Sequence, residues 1–446
     1  MKINYNNEKE VASKAIEIAR RIGANAVRAQ LEISTNNMYS VANRELERLQ
    51  RADDRSLYIH IFHKGRYGFF STNRLDITSI EQFVKDSVKM TEFLAQDSCR
   101  TLPNPDYYYK GSAKDLGQFD PYIFELPDTK RREIAFDCYN EIADKDKKLI
   151  YANSKYEDSV EYQYMVDSQG FEGESIQSFY TILMECSIEG ENGMKPESYW
   201  YESAMNYKDF NPKGCATLAL QRAKNKLGEK KIKGGRYNVI FDNTCSSRVV
   251  GPILNALEGL SIQQQKSFLK DLKGKKVFTD KLTIEDNPHL YGMSGSRYFD
   301  SEGIATKPIN VIDSGVVTDY YINTYVSNKI NMPNTVDGPS SPTISTNSFS
   351  DEIKNLNSFS MIDKIGTGIL ITGINGGNCN DVTGDFSFGI EGRYFKNGTL
   401  QHPIREMNIT GNIISLWDGF IIPGNDALRC SNWQIPSLAF ENLTIL

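Results

Sequence analysis

The sequence predicts an α+β protein, with an N-terminal α/β half and a mostly β, barrel-like C-terminal half. Three observations support this fold class. Apolar residues recur at helical spacing after Asn6, strand-like alternation fills the segment from Leu149 to Tyr207, and glycine interrupts nearly every short strand after Lys276. The 446 residues, among them 24 tyrosines and 22 phenylalanines typical of sheets, are enough for two or three domains with their own cores.

The first predicted unit is an α/β domain over residues 1–115. An amphipathic helix follows Asn6 and ends at Gly23, where a left-handed residue can stop it. Residues 26–34 alternate as a strand, and 56–72 predict two strands joined by a hairpin turn at Lys64-Gly65. The apolar spacing over 79–97 predicts the next helix.

The second predicted unit is a strand-rich central domain with flanking helices over residues 116–230. A connector rich in proline and tyrosine precedes it, and Asp128 is expected to cap a helix that runs to about Asp144. At least four strands follow, and residues 214–228 predict the closing helix.

The third predicted unit is a mostly β domain over residues 231–446. Residues 236–242 form a buried-type strand, and the later short strands with glycine at nearly every turn indicate a closed or strongly curved sheet. Residues 332–352 form a long polar loop rich in proline and serine, and loops of this length tend to be functional or mobile.

Composition argues against several classes of function. The formal net charge is -6 and the basic residues are dispersed, so we expect no nucleic-acid partner, because phosphate binding needs a concentrated positive face. No window reaches the ~18 apolar residues of a membrane span, and the first residues lack the apolar core of a signal peptide. Seven scattered cysteines without C-x-x-C spacing are typical of a reducing compartment. We therefore expect a cytoplasmic protein with no membrane partner.

The stretch from Arg248 to Leu269 predicts a helix followed by a polar turn, and it contains no histidine. Its apolar positions recur at i, i+3, i+4 and i+7 on one helix face: Val250, Ile253, Leu254 and Leu257. Gly251-Pro252 should bend this helix, because proline lacks the backbone N–H and clashes with the carbonyl four residues back.

Several segments occur in an order that resembles a known family. They are a hairpin G-R-Y-G at 65–68, the bent helix with L-E-G at 257–259, D-S-E-G at 300–303, glycine-rich strands at 382–412 and G-N-D-A-L-R-C at 424–430. Together they resemble the TldD/PmbA family, the "modulator of DNA gyrase" proteins, over essentially the whole chain. The resemblance implies a TldD/PmbA-like architecture.

In that family, TldD-type members resemble zinc peptidases and carry H-E-x-x-x-H just before L-E-G. Aligning L-E-G places Val250, Gly251 and Asn255 at the first histidine, the glutamate and the second histidine. Valine has no lone pair, glycine has no side chain, and a carboxamide is a weak zinc ligand. The resemblance therefore implies no catalytic residue and no metal ligand in this chain.

What remains is similar to the TldE/PmbA-type subunit. The resemblance implies a heteromeric, zinc-dependent peptidase complex that acts on unfolded or flexible peptides, with the zinc on a TldD-like partner, and a possible homodimer when this chain is alone. Asp300, Glu302 and Gly303 are predicted to bind substrate because D-S-E-G belongs to the family pattern, although acidic residues at such turns usually cap their own backbone. Strands within 303–323, covered by loop 332–352, are the predicted edge for peptide capture by strand addition.

Two alternatives remain open at this point. A self-sufficient hydrolase would use Cys245, which lies where a strand gives way to a helix, a place that can lower the pKa of a thiol. A buried hydrophobe is the more common role of such a cysteine, and a cysteine nucleophile also needs a histidine nearby. Cys430 lies near the place where zinc-bearing relatives supply a thiolate, and we expect it to be structural. The second alternative is a non-enzymatic regulator or binding protein, such as a gyrase modulator.

Overall fold

A computed structural model describes residues 5–111, 114–346, 349 and 353–446. Within these residues the helices are α1 Asn6–Arg21, α2 Ile77–Thr91, α3 Asp128–Asn140, α4 Cys215–Lys224, α5 Ser247–Ala256, α6 Gly259–Gln263, α7 Thr324–Ile330, α8 Ser358–Ile365 and α9 Ile413–Asp418. The long strands of the first half are β1 Ala26–Ala42, β2 Glu45–His63, β3 Arg66–Thr72, β4 Leu149–Asp167, β5 Glu172–Ile188 and β6 Glu197–Ala204. The strands of the second half are β7 Gly235–Phe241, β8 Ile284–Asp286, β9 Ile309–Asp313, β10 Val316–Val317, β11 Pro342–Ile344, β12 Gly368–Cys379, β13 Asp385–Lys396, β14 Thr399–Asn412, β15 Phe420–Pro423 and β16 Leu438–Ile445. The predicted α+β class is confirmed.

The first half is one antiparallel sheet in the order β3-β2-β1-β4-β5-β6, with helices on one face. Every second residue of β1 faces the helices, because side chains alternate along a strand. Val27 and Leu31 pack against α1 and α2, whereas Tyr39 and Val41 pack in the core that contains α3 and α4. Since β1 pairs with β4, the sheet runs through both units predicted over 1–115 and 116–230, and that division stays a prediction.

The second half contains a closed barrel of five strands in the order β14-β13-β12-β7-β16, which a pairing between β14 and β16 closes. The barrel-like prediction is therefore confirmed. Strand β15 pairs with the outer side of β16, and a small sheet, β10-β9-β8-β11, lies beside the barrel. The largest core joins the barrel, α5, α9 and this small sheet around Trp417.

The predicted loop 332–352 is partly ordered into a strand, because β11 lies within it and pairs with β8. Its residues 347–348 and 350–352 lie outside the described part of the chain. Among the described residues, every helix is too short or too polar to cross a membrane.

Buried contacts join the two halves. Arg28 of β1 donates hydrogen bonds to the carbonyl oxygens of Ser301 at 3.2 Å and Glu302 at 2.6 Å. On another side, Arg222 of α4 donates to the carbonyl oxygen of Thr372 in β12 at 3.0 Å. These contacts fix the first sheet and the barrel on either side of a cleft.

Candidate functional site

Helix α5 carries the positions that the family resemblance singles out. Strand β7 delivers the chain to this helix, and the apolar face of α5 packs in the barrel core, with Val250 fully buried. Gly251 lies under Trp433, because a Cβ added there would be 3.4 Å from the indole ring. Asn255 is exposed. The structure therefore does not bring the three positions together as ligands.

These residues do not fit a zinc ion. An apolar side chain in a core, a glycine under an indole and an exposed carboxamide supply neither imidazole nor carboxylate, which zinc prefers. Across the described residues, no three His, Cys, Asp or Glu side chains lie close enough together to hold a metal ion.

A cleft of about 1060 Å³ lies between the first sheet and the barrel. One wall is formed by β6 and α4, and the other by β12, β13, β14 and the segment that leads into α5. Cys245 and Cys430 both line the cleft, whereas, within the described chain, the D-S-E-G residues and the three degenerate α5 positions do not.

Two strand edges border the cleft. Strand β6 pairs with β5 on one side, and no strand in the described residues pairs with its other side, along which Glu197–Tyr201 line the cleft. Among the described residues, strand β12 pairs with β7 through Ile369, Leu370 and Ile371. The Thr372 carbonyl oxygen bonds to Arg222, and beyond it this edge of β12 has no neighbouring strand in the described part of the chain. Two bulges interrupt its pairing with β13 in this region, and bulges are common next to functional sites. Both edges offer backbone groups to an extended chain.

Aromatic and charged side chains complete the cleft. Tyr199 and Phe359 line it with 59% and 58% of their surfaces exposed. Arg222 lies over the Trp200 ring at 5.3 Å while bonding to β12, so a single guanidinium connects the two walls. Such a surface suits an extended peptide with varied side chains, because aromatic rings give contact area at low entropic cost.

Cys245 does not have the surroundings of a nucleophile. Its thiol donates to the carbonyl oxygens of Ile371 at 3.3 Å and Asp242 at 3.4 Å. Burial, reinforced by the charge of Asp242, raises the pKa of this thiol. The four histidines bond to groups elsewhere, in the pairs His60–Tyr67, His63–Glu92, His289–Thr306 and His402–Pro403. The geometry does not favour the Cys245 hydrolase.

Cys430 is half-buried in the cleft beside Tyr201 of β6. Burial, together with the nearby Cys430, raises the pKa of Tyr201 to about 12, and burial also raises the pKa of the Cys430 thiol. Both groups are therefore neutral at physiological pH, which agrees with the structural role expected for this cysteine.

The D-S-E-G turn lies at the junction of the two halves. Asp300 is 2% exposed, and its carboxylate accepts backbone N–H bonds from Glu302, Ile304 and Asp337. Burial, reinforced by the charges of Asp337 and Glu302, raises the pKa of Asp300 to about 7.

The other residues of the turn are also engaged within the protein. Glu302 accepts two hydrogen bonds from Thr324, both at 2.8 Å. Gly303 has φ +79° and lies against Phe171, so a side chain is excluded there. Hydrogen bonds and packing within the protein are therefore enough to explain why these residue types occur in the turn. The substrate-binding role of Asp300, Glu302 and Gly303 stays a prediction.

The strand edge predicted within 303–323 is not open to a peptide. Strand β9 lies inside the small sheet, and the outer side of β10 bonds to a neighbouring segment, with Gly274 donating to the Val317 carbonyl oxygen at 2.7 Å. The edges of β6 and β12 were missed, because sequence alone identifies a strand but not the side on which it lacks a neighbour.

Three family models match consecutive parts of the chain. They are described as PmbA/TldA metallopeptidase domain 1 over residues 28–91, the central domain over 121–227 and the C-terminal domain over 234–446.

Individual proteins are similar over nearly the whole chain. The metalloprotease PmbA of Escherichia coli O157:H7 is 27% identical over 444 residues, which cover 98% of this chain and 95% of the relative. The crystal structure of a putative modulator of DNA gyrase from Bacteroides thetaiotaomicron VPI-5482 is 38% identical, with a TM-score of 0.95 and 99% of each chain covered. TldE from Thermococcus kodakarensis shares the fold, with a TM-score of 0.83 at 16% identity and coverage of 98% of this chain and 99% of that one.

Proposed function

Because the chain belongs to the PmbA/TldD metallopeptidase family, as its motifs predicted, we propose that it is a PmbA/TldE-type subunit of a zinc-dependent peptidase complex. In this proposal, zinc and its ligands belong to a TldD-like partner subunit, and this chain binds unfolded or flexible peptides. The observation that carries the proposal is helix α5, where Val250 is in the core and Trp433 covers Gly251. The L-E-G motif aligns this helix with the metal-binding helix of TldD-type members, and its residues at those positions are not groups that bind zinc.

The cleft is the proposed peptide site. An extended peptide that adds to β6 or β12 would form main-chain hydrogen bonds, which depend little on sequence, while Tyr199 and Phe359 contact its side chains. A substrate held in this way must be unfolded, because its backbone groups have to be free of other partners.

The partner assignment is tested with the chain alone, a TldD-like protein alone and the two mixed. Zinc content, oligomeric state and cleavage of an unstructured peptide are measured in each sample, with and without a chelator. We expect zinc and chelator-sensitive cleavage only where the TldD-like protein is present, and a mixed complex by size-exclusion chromatography with light scattering. One zinc ion per chain in the isolated protein, or cleavage by it alone, would refute the assignment. The same measurement shows whether the isolated chain forms a homodimer.

The peptide site is tested on both sides of the contact. Two modified peptides are compared, one N-methylated at its odd-numbered residues and the other at its even-numbered residues. Alternate residues of an extended peptide direct their N–H groups to the same side, so one of the two peptides loses the donors that bond to the strand edge. That peptide should bind at least ~10-fold more weakly than the unmodified peptide. Tyr199→Ala and Phe359→Ala should also weaken binding. Phe93→Ala is the matched control, because Phe93 is 80% exposed and does not line the cleft. Equal binding of all the peptides would rule out strand addition.

A cytoplasmic location remains part of the proposal. All seven cysteines are free thiols, as a reducing compartment allows. Fractionation of cells that express the tagged chain tests this location.

A further inference from the structure

Two arginines line the cleft without a carboxylate partner. Arg222 lies on α4, in the first wall, and Arg248 lies at the start of α5, in the second wall. Among the described residues neither guanidinium forms an ion pair, whereas Lys226 of the same cleft pairs with Glu391 at 2.8 Å. Two positive charges of the cleft are therefore available to a ligand.

Aromatic rings hold both guanidinium groups. The guanidinium of Arg222 lies 5.3 Å from the centre of the Trp200 ring, and that of Arg248 lies 5.6 Å from the centre of the Phe388 ring. A ring attracts the cation to its face, while the N–H groups of a guanidinium point outward in the plane of the cation. The rings therefore hold the two charges in the cleft without using their hydrogen-bond donors.

The hydrogen bonds of Arg222 use only part of its donor set. Its Nη2 donates to the carbonyl oxygen of Thr372 at 3.0 Å and to the hydroxyl of Thr244 at 3.5 Å. In the described part of the chain, Nε and Nη1 donate to no protein group, and the exposed Arg248 makes no side-chain hydrogen bond. A guanidinium has five N–H donors, so most of those in this pair remain for a ligand.

The carboxylates of the cleft do not neutralise these arginines. Asp242, in the segment that leads into α5, is 7% exposed and accepts hydrogen bonds from the hydroxyls of Thr244 at 2.6 Å and Ser358 at 2.8 Å. Three other carboxylates that line the cleft lie more than 4.0 Å from both guanidinium groups, namely those of Glu185, Glu197 and Glu229.

Arg222 lies where the two open strand edges come together. Its guanidinium contacts Trp200 of β6 and the carbonyl oxygen of Thr372, directly after the part of β12 that pairs with β7. A peptide that adds to either edge therefore passes this guanidinium. A carboxylate is the peptide group that matches a guanidinium best, because it can accept two parallel N–H bonds.

We propose that Arg222 and Arg248 form a carboxylate-binding site for the peptide in the cleft. Arg222 donates to the carboxylate through Nε and Nη1, and Arg248 supplies a second positive charge from the facing wall. The carboxylate is the C-terminal one or that of an acidic side chain. This inference rests on the proposed function, because it needs a peptide in the cleft. A terminal carboxylate occurs on every unmodified peptide, so such a contact agrees with binding that depends little on sequence.

Four unstructured peptides of equal length test the site with the full-length chain. One sequence is neutral and the other has a central glutamate, and each is made with a free and with an amidated C-terminus. Fluorescence anisotropy measures the affinities at low and high salt. We expect a carboxylate to raise the affinity about 10-fold over the neutral amidated peptide, and high salt should reduce this gain. The peptide form that shows the gain identifies the source of the carboxylate.

Variants assign the gain to the two arginines. Arg222→Met and Arg248→Met should each remove most of it, and they should change the affinity for the neutral amidated peptide by less than about twofold. Arg132→Met is the matched control, because Arg132 is an exposed arginine that lies over an aromatic ring, that of Phe136 at 5.3 Å, and does not line the cleft. Arg248→Met keeps the test valid if Arg222→Met disturbs the wall, since Arg248 makes no side-chain hydrogen bond in the described chain.

The possible failures are distinguishable. Equal affinity for all four peptides, with Tyr199→Ala still weakening their binding, would overturn the carboxylate site and leave the proposed peptide site intact. A gain that survives both arginine variants would also overturn the carboxylate site. Failure of every peptide to bind would refute the peptide site and this inference with it.

Discussion

Replacing Arg28 by alanine should lower the unfolding free energy by about 4 kcal/mol, because it breaks a buried ion pair at the junction of the two halves. The Arg28 side chain is 5% exposed and that of Asp167 is fully buried, with 3.2 Å between Nη2 and Oδ2. The same guanidinium donates to the carbonyl oxygens of Ser301 and Glu302. Alanine therefore leaves a buried carboxylate and two carbonyls without this donor.

The magnitude follows from what remains around Asp167. Removing one member of a buried pair costs about 3–5 kcal/mol, since the other charge stays buried without compensation. Tyr108 still donates to Asp167 at 2.6 Å, and the backbone of Gln169 donates at 2.8 Å, which moderates the cost. Loss of the hydrogen bonds to Ser301 and Glu302 increases the cost in unfolding free energy. We therefore expect a value near the middle of the 3–5 kcal/mol range.

Urea unfolding followed by circular dichroism and tryptophan fluorescence measures the effect. The two signals should separate in the Arg28→Ala variant, because the first half should unfold before the barrel once the junction is weakened. In the double variant Arg28→Met/Asp167→Asn the loss should be smaller than the sum of the single losses, because no charge is left buried. Arg44→Ala is the control, since Arg44 and its partner Asp144 are both exposed at the surface, and the change should alter stability by less than ~1 kcal/mol.

The result also bears on the D-S-E-G turn. If this turn acts through the junction, Arg28→Ala and Asp300→Asn should change stability and leave the peptide affinity of the folded protein unchanged. A loss of less than ~1 kcal/mol for Arg28→Ala would show that the buried ion pair and the bonds of Arg28 to the second half contribute little stability, and the reasoning would then be wrong. A lower peptide affinity at unchanged stability would support the predicted substrate-binding role.

Three further predictions concern single positions. Because burial raises the pKa of Asp300 to about 7, the folded state retains a proton that the unfolded state releases, so stability should fall as pH rises from about 4 to 7. Asp300→Asn should flatten this part of the pH profile in thermal unfolding, and an unchanged profile would contradict the assignment. Val250→His should lose more than ~2 kcal/mol, because it places an imidazole in an apolar core, and should bind no stoichiometric zinc by elemental analysis. Gly377→Ala should lower the thermal midpoint strongly, because Gly377 has φ +89° and the new Cβ would lie 1.9 Å from the Ser387 carbonyl oxygen; Gly338→Ala, with open space around it, should not.

Most helices and strands could be predicted from local sequence patterns. The structure differs from the prediction where contacts between residues distant in sequence determine where an element ends or whether it forms. The apolar spacing over 79–97 continues past the end of α2 at Thr91, because Asp97 bonds instead to Gly65 in the β2–β3 turn. The N-cap position of helix α3 is Pro127, which makes no capping hydrogen bond, and Asp128, predicted as the cap, is the first residue of the helix. Strand β11 lies in a segment whose sequence predicts a loop, because the strand is only three residues long and forms through its pairing with β8.

Some features of the candidate site could likewise be predicted from residue types, whereas others depend on contacts that only the fold reveals. The absence of zinc ligands at Val250, Gly251 and Asn255 could be read from residue types, since no packing can supply an imidazole. The packing of Trp433 over Gly251 could not be predicted, because the two residues are distant in sequence. The D-S-E-G turn shows the converse, since its acidic residues suggested a ligand and the structure engages them with backbone N–H groups.

The open edges of β6 and β12 raise a physical question of their own, since unpaired edges tend to associate with other chains. Here both edges line a cleft, and Arg222 connects its two walls. A strand that belongs to another folded sheet would bring its own neighbouring strands into the cleft, whereas a single extended segment needs only its own width. In the proposed function, a cleft of this kind would disfavour association of the edges with folded proteins and would admit a flexible peptide. Selection for unfolded substrates would then follow from where the edges lie, without recognition of any particular sequence.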